Sequence, residues 1–387
     1  MWNTVKLGDA LSIARGGSPR PIKAFITDED DGVNWIKIGD TSQGGKYIES
    51  TKEKIKPSGI SRSRYVKTGD FLLSNSMSFG RPYILKTDGC IHDGWLVLSD
   101  YEQTFTADYL YYLLSSAVVQ NQFEKLARGS TVRNLNTELV SSVVVSVPPL
   151  TEQQRIVAKL DKVFLEIDRA TEFTKSKLDE GSAIYKSMAR RVFFESPNKV
   201  PISAVAEIIM GQSPKGDTYN SEGKGVPLIN GPVEFDRDDF GKSKSIKFTT
   251  APTKFCEAGD TLLCVRGSTT GRMNIASEVS CIGRGVAALR AHEYQPWISY
   301  FIQASRDLIY SLGKGATFPN ISAKQIGEIE IYNPSTIEKQ AIVSRLEKAR
   351  IEKDNLIKLS ESKLEQLASL KSVILYQELQ PPQSEAA

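Results

Sequence analysis

The side chains best equipped for chemistry in this chain are paired hydrogen-bond donors and acceptors. Arg266, Arg272 and Asn274 stand close together, and Asn75 and Arg81 occupy the corresponding part of an earlier stretch. Arg and Asn can each set two groups against one base edge, which is how sequence is read in a DNA groove. Ahead of both sets runs a basic stretch: Lys52, Lys54, Lys56, Arg62, Arg64 and Lys67 in the first, Lys242, Lys244, Lys247 and Lys254 in the second. Such charges suit phosphate contacts, which position a protein on DNA and weaken with salt. A lone surface lysine is as often a plain solvated charge. Arg128 and Lys314, beside two Gly-containing loops, are further phosphate candidates, with Thr131, Arg133 and Thr317 in the same loops. Asn134 and Asn320 close those loops and could contact DNA, but the turn-forming role of Asn is the favoured reading.

Other chemistries have little to stand on. The two histidines, His92 and His292, have no His or Cys near them at ligand spacing, so no zinc site is expected. Cys90, Cys256, Cys264 and Cys281 form no CxxC pair, and no signal peptide or apolar run of spanning length is evident; reduced thiols in a cytoplasmic protein are expected, with no membrane partner. Asp217 with Glu222-Gly-Lys224 loosely fits the metal site of a nuclease, but no strand-like run holds it and the earlier stretch has no counterpart. Tyr111-Tyr112 and Tyr300-Phe301 could stack bases, although their apolar helical context favours core packing. The formal net charge of +3, from 49 Lys plus Arg against 46 Asp plus Glu, is too small to require a polyanionic partner. Any DNA surface must come from local clustering.

The elements that would position these residues are duplicated. Gly129-Ser-Thr-Val-Arg-Asn-Leu135 matches Gly315-Ala-Thr-Phe-Pro-Asn-Ile321, an offset of 315 − 129 = 186. At the same offset Pro148, Glu152, Gln154, Ile156-Val157 and Leu160 match Pro334, Glu338, Gln340, Ile342-Val343 and Leu346. Upstream the offset drifts: Gly69-Asp70 pairs with Gly259-Asp260, Gly80-Arg81 with Gly271-Arg272, Cys90-Ile91 with Cys281-Ile282, and Gly16-Gly-Ser-Pro19 with Gly211-Gln-Ser-Pro214. Insertions are therefore tolerated early in each copy and excluded late, as expected of loops followed by a helix seam that must keep register.

Each copy ends in a predicted long helix. From Thr151 to about Glu195 there is no proline and one glycine; Thr151-Glu-Gln-Gln154 has capping-box spacing, as does Ser335-Thr-Ile-Glu338. Ile156, Leu160, Val163 and Ile167 step by four and three, as do Ile342, Leu346 and Ala349, then Leu356, Leu367, Leu370 and Ile374. That seam wants a partner helix, and two helices of roughly 60–65 Å lying antiparallel would satisfy it. The preceding segments, rich in Gly, Pro and aromatics, carry short runs such as Phe71-Leu-Leu73, Trp95–Leu98 and Thr261–Val265, with short helices predicted over 107–126 and 296–312. At 387 residues two domains of usual size fit. The expected fold is α+β: two β-rich heads, residues 1–150 and 196–335, each followed by a long helix, 151–195 and 336–380, the helices pairing as an antiparallel coiled coil with pseudo-two-fold symmetry, then a disordered tail over 381–387.

Taken in order and duplicated, Gly-x-Ser-Pro, Gly-Asp-x-Leu-Leu, Gly-Ser-Thr-Thr-Gly-Arg272, Gly-[Ser/Ala]-Thr-x-x-Asn-[Leu/Ile] and Pro-x-x-x-Glu-x-Gln-x-x-Ile-Val closely resemble the specificity subunit of type I restriction-modification systems over nearly the whole chain. The resemblance implies two target-recognition domains, each reading half of a split double-stranded DNA sequence, with the helices fixing the spacer and docking two methyltransferase subunits. Motor-nuclease subunits would join to make the restricting enzyme. Catalysis, S-adenosylmethionine, ATP and Mg would then belong to the partners, and this chain would hold no cofactor. It has no Asn/Asp-Pro-Pro-aromatic motif for adenine methylation and no GxxxxGK[ST] loop. The family pattern is broken where copy one carries Ser74-Asn75-Ser76 against Cys264-Val265-Arg266, which implies unlike half-sites. A coiled-coil scaffold with protein-binding heads is the competing reading.

Overall fold

The computed structural model describes residues 2–42, 45–75, 79–127, 134–313 and 320–382. Arg128, Lys314, Thr131, Arg133, Thr317 and most of the expected tail lie outside these residues. The chain divides into two compact units, Met1–Thr174 with Ser362–Ala387, and Lys175–Glu361. Each unit thus takes one head, part of the helix Leu150–Phe194 and part of the helix Thr336–Glu378.

In the first unit the central sheet runs Ser12–Arg15, Trp95–Ser99, Phe71–Ser74, Pro82–Leu85, Tyr47–Ile48. A second five-stranded sheet runs Ile26–Thr27, Glu53–Ile55, Val33–Ile36, Gly89–Ile91, Arg64–Val66. Most pairs are antiparallel, but Gly89–Ile91 lies parallel to Val33–Ile36, and Tyr47–Ile48 to Pro82–Leu85. The run Phe71-Leu-Leu73 lacks alternation because both faces are covered. Phe71 and Leu73 enter the core made with the helices, while Leu72 joins Trp95 and Val97 on the other face, against Ile36 and Ile91 of the second sheet.

The second unit repeats this order: Ala206–Met210, Val286–Ala291, Thr261–Cys264, Met273–Ile275, with a second sheet of Tyr219–Asn220, Phe248–Thr249, Val226–Ile229, Ser280–Ile282 and Phe255–Cys256. A single parallel bridge, Lys242 to Ile275, replaces the edge strand Tyr47–Ile48. The Gly-Asp motif proves to be a turn: Gly69 and Gly259 adopt φ of +99° and +92°, where a side chain is strained, and the following aspartate accepts from the backbone N–H of Lys67 or Glu257 at 2.8 Å.

Each predicted short helix is in fact two, Ala107–Ser115 with Ala117–Ala127, and Gln295–Ala304 with Arg306–Leu312. The breaks fall at Ser116 and Ser305; the Ser116 hydroxyl donates to the Leu113 carbonyl at 2.6 Å, competing with the helix ladder. Tyr112, Tyr300 and Phe301 are buried, and Tyr111, half-buried, packs against the first core, so these aromatics serve packing.

The long helices start differently from one another. Ser335 and Glu338 form the expected capping box, with Ser335 N–H donating to the Glu338 carboxylate at 3.1 Å and Glu338 N–H to the Ser335 hydroxyl at 3.4 Å. Copy one has Pro149 in place of Ser335, so no hydroxyl is available and the helix opens at Leu150. There Gln153, fully buried, accepts from Thr106 N–H and donates to the carbonyls of Thr104 and Pro148, all within 3.0 Å.

The helix seam exists within each unit, and it is antiparallel. In the first, Lys159 reaches Glu378 at 2.6 Å and Lys371 reaches Asp168 at 2.8 Å. In the second, Lys353 lies over the Tyr185 ring at 5.0 Å, and Gly181 leaves space filled by Leu356. Ile156, Leu160 and Ile167 are buried, with Val163, Leu367 and Ile374 packed against the same core; Leu346 is buried in the other core, where Ile342 packs. Ala349 and Leu356 are half-buried. Leu370 is a correction: it is 47% exposed. The seam steps from Leu367 by four to Lys371, whose ammonium lies 4.8 Å from the Phe164 ring centroid and reaches Asp168, so a lysine holds the place assigned to leucine.

Leu160→Ala is expected to lower the unfolding free energy by about 2–5 kcal/mol, whereas Leu370→Ala should change it by no more than about 0.5 kcal/mol. Urea unfolding followed by circular dichroism checks this, and a larger loss at Leu370 contradicts the assigned seam.

Candidate nucleic-acid interface

One corner is built identically in the two heads, from the backbone outward. In the first, the Gly-x-Ser-Pro loop is tied down by Gly16 N–H donating to Trp95 O at 2.9 Å and Gly17 N–H to Ile91 O at 3.1 Å. In the second, Gly211 N–H donates to Val286 O and Gln212 N–H to Ile282 O, both at 2.9 Å. Beside the loop, Asn75 N–H bonds Gly94 O and Leu135 N–H bonds Asn75 O; Val265 N–H bonds Gly285 O and Ile321 N–H bonds Val265 O. The motif serine caps the intervening turn: its hydroxyl accepts from Asp93 N–H at 3.4 Å in one head and from Arg284 N–H at 3.2 Å in the other.

Basic side chains surround this corner in both heads. In the first, Arg15, Arg20, Arg62 and Arg64 are exposed. Arg15 Nε donates to Asp93 O and Arg64 Nε to Arg15 O, both at 3.4 Å, and the Arg62 guanidinium lies 5.5 Å from the Phe25 ring. In the second, Lys215, Lys254, Arg266 and Arg284 are exposed, and Arg266 Nε donates to Asn320 Oδ1 at 3.1 Å. Arg64 and Lys254 are structural equivalents, because each lies opposite the isoleucine of the Cys-Ile pair. Sequence reasoning named Arg62, Arg64, Lys254 and Arg266 but missed Arg15, Arg20, Lys215 and Arg284. The available signal was charge flanking the repeated Gly-x-Ser-Pro and Cys-Ile motifs.

Several other candidates are corrected. Asn75 is 3% exposed and its amide donates to Asp93 O at 2.7 Å, so it braces the turn instead of facing a groove. Asn274 is fully buried, accepting from Asp236 N–H and donating to Asp238 O at 2.9 Å. Arg272, half-buried, donates to Asp236 O at 2.9 Å, and Arg81 lies over the Tyr83 ring at 5.3 Å. Burial takes Asn75 and Asn274 out of reach of a groove, while Arg81 and Arg272 keep these neighbours at partly exposed positions.

The two basic stretches are not equivalent to one another, nor is either one patch. Lys54 pairs with Asn34 and its register counterpart is Phe248, while Lys242 takes the place of Tyr47. Two strands lie between Lys54 and Arg64, which puts them about 14 Å apart at the usual strand spacing. Lys52 is exposed beside Asp40, Lys244 is paired with Asp236 at 3.1 Å, and Lys247 faces the buried Glu234 at 3.8 Å.

His92 distinguishes the first corner. Its Nδ1 accepts from Gly94 N–H at 2.8 Å, and burial pushes its pKa below the ordinary histidine value. The second head has Gly283 there. Asp93 stays ionised, its pKa lowered first by the Ser18 hydroxyl, which donates to Oδ1 at 2.7 Å.

Among the described residues no group of three or more His, Cys, Asp or Glu is placed to hold a metal ion, and Glu222 pairs with Lys224 at 2.6 Å. The four cysteines are free and buried, and burial raises the Cys256 and Cys264 thiols to about 11. No helix among the described residues is long and apolar enough to cross a membrane.

A duplicated α+β head with a matched basic corner is the mark of a two-domain DNA-recognition subunit. The type I restriction modification DNA specificity domain matches the chain twice, over residues 1–179 and 197–367, so the chain belongs to that family of specificity subunits. The putative type I restriction enzyme MjaX specificity subunit of Methanocaldococcus jannaschii is 27% identical, covering 97% of this chain and 92% of that one. A chain from a structural study of complex assembly and conformational transition of the type I R-M system aligns with a TM-score of 0.83 and 25% identity, over 98% of this chain and 97% of that one. The HsdS subunit from Thermoanaerobacter tengcongensis shares the fold, with a TM-score of 0.63 at 24% identity over 98% and 96% of the two chains.

The half-buried histidine, its pKa lowered first by desolvation, sets a pH dependence. Above about pH 6.5, the unperturbed histidine value, both folded and unfolded forms are neutral and stability is full. Below it the unfolded chain takes up a proton that the folded corner resists, so stability falls as pH falls towards the lowered folded value. The thermal midpoint of the first unit should drop between pH 7.5 and pH 5, and His92→Gln should flatten that drop; an unchanged slope in the variant contradicts the assignment.

Proposed function

We propose that this chain reads a bipartite, asymmetric double-stranded DNA target, each head contacting one half through its basic corner. The observation that carries this reading is the corner itself: one backbone frame, built twice, with cations at two equivalent places, Arg20 with Lys215 and Arg64 with Lys254, and different side chains at the others. Arg64 and Lys254 supply phosphate contacts, and Arg266, exposed and steadied by Asn320, is a base-reading side chain. The long helices set the spacer between the halves. They also dock two methyltransferase subunits, which carry S-adenosylmethionine and the adenine-N6 chemistry; motor-nuclease subunits using ATP and Mg complete the restricting form. The chain alone performs no catalysis.

Docking of two copies of one partner is supported by a second duplication. In the first unit Leu165 and Phe173 of one long helix are exposed; Ile351 and Leu359, each 186 residues later (351 − 165 = 186; 359 − 173 = 186), are exposed in the second. Solvated helix faces do not ordinarily keep large apolar residues in matched register, whereas two equivalent docking faces do. The scaffold reading lacks any comparable account of the paired basic corners.

Purified chain should be catalytically silent and should gain sequence-specific adenine methylation when mixed with its methyltransferase subunit. In salt titrations with target DNA, Lys254→Ala should weaken binding across sequences and reduce the log–log salt slope by about 1, while Arg266→Ala should relax preference at one position of one half-site. Methylation by the isolated chain, or equal effects of the two substitutions on specificity, contradicts this reading.

A further inference from the structure

The turn between the last two strands of the corner carries the same main-chain bonds and the same serine cap in both heads but opposite charges at its tip. Asp93 occupies it in the first head and Arg284 in the second, equivalent because the motif serine, Ser18 or Ser213, caps the backbone N–H of each. Asp93 is held with little freedom: Asn75 Nδ2 and Arg15 Nε donate to its carbonyl, His92 and Gly94 close the turn, and the Ser18 hydroxyl orients Oδ1. A carboxylate among four exposed arginines weakens attraction for phosphate, so electrostatic positioning does not explain its presence there. Ser18 satisfies it only in part. The side chain remains 46% exposed; His92 Nδ1, 3.9 Å away, belongs to a ring that resists protonation, and the ion pair to Arg20 at 3.4 Å is with a side chain 81% exposed, a pair of little energetic value that a phosphate can replace.

We infer that positions 93 and 284 are equivalent base-reading positions of opposite polarity: Asp93 accepts from an exocyclic amino group, of cytosine or adenine, and Arg284 donates to the O6 and N7 of guanine. Both pairings follow from the donor and acceptor pattern of the major groove. A rigid frame that fixes direction while its tip varies is what base readout requires, since a discriminating contact must be pre-positioned. The two half-sites would thus differ at the base pair under this turn. This inference rests on the DNA-reading function proposed above.

The test is a map of methylated adenines on a randomised DNA library, using the complete complex of this chain with its methyltransferase subunit. Wild type should require cytosine or adenine at one position of one half-site and guanine at one position of the other; which of the two amino bases Asp93 selects is read directly from the map. Asp93→Asn, close in shape but with a donor in place of one acceptor, should change or relax the first requirement at least 10-fold and leave the other half-site intact. Arg284→Ala should relax only the guanine. Ser18→Ala frees the Asp93 carboxylate without changing its chemistry, so it should relax the first requirement less than Asp93→Asn does and leave the other half-site intact. An unchanged motif in both tip variants, with methylation retained, overturns the inference, as does a shift in the Arg284 half-site on Asp93→Asn or Ser18→Ala. Failure of the function reading looks different: the wild-type complex would then show no sequence preference at all.

Discussion

The arrangement depends on a small set of main-chain hydrogen bonds that lash the Gly-x-Ser-Pro loop to the turn after the Cys-Ile strand. Those bonds use backbone groups, so they impose a shape without constraining most side chains. The frame stays the same between heads while the side chains around it differ: Arg15 against Met210, Arg20 against Lys215, Asp93 against Arg284. A protein that must recognise two different sequences with two copies of one fold needs that separation of scaffold from contact.

Behind the corner, each central sheet is sandwiched, with helices on one face and the second sheet on the other. Double coverage makes the strands apolar on both sides and holds the corner rigid. The long helices are fixed to the heads by side chains that look incidental in the sequence. Gln153 satisfies Thr104, Thr106 and Pro148, and at the matching place Lys339 reaches Glu293 at 3.0 Å. Two unrelated polar solutions at one register position show that the helix–head junction is what is kept.

Much of this was legible in the sequence. The constant offset through the helices reported a seam that cannot tolerate insertions, and the duplicated motifs reported two α+β heads; both are found. Where the offset drifts, equivalence could not be read by counting. Lys52 and Lys54 were set against Lys242 and Lys244, although strand register pairs Lys54 with Phe248 and Lys242 with Tyr47. Asn75 and Asn274 have the chemistry of base readers, but burial is a property of the folded neighbourhood, and both amides brace backbone. Leu370 illustrates the same limit on a helix. A step of three or four is equally periodic, and only the partner surface decides that Lys371 lies inward.

Site-specific photocrosslinking most directly tests the claim that these corners face DNA. A photoreactive residue placed at position 20 or 215, in the complete complex on its target, should crosslink to nucleotides in opposite halves of that target. Crosslinks from both positions to a partner subunit, with none to DNA, would contradict the account.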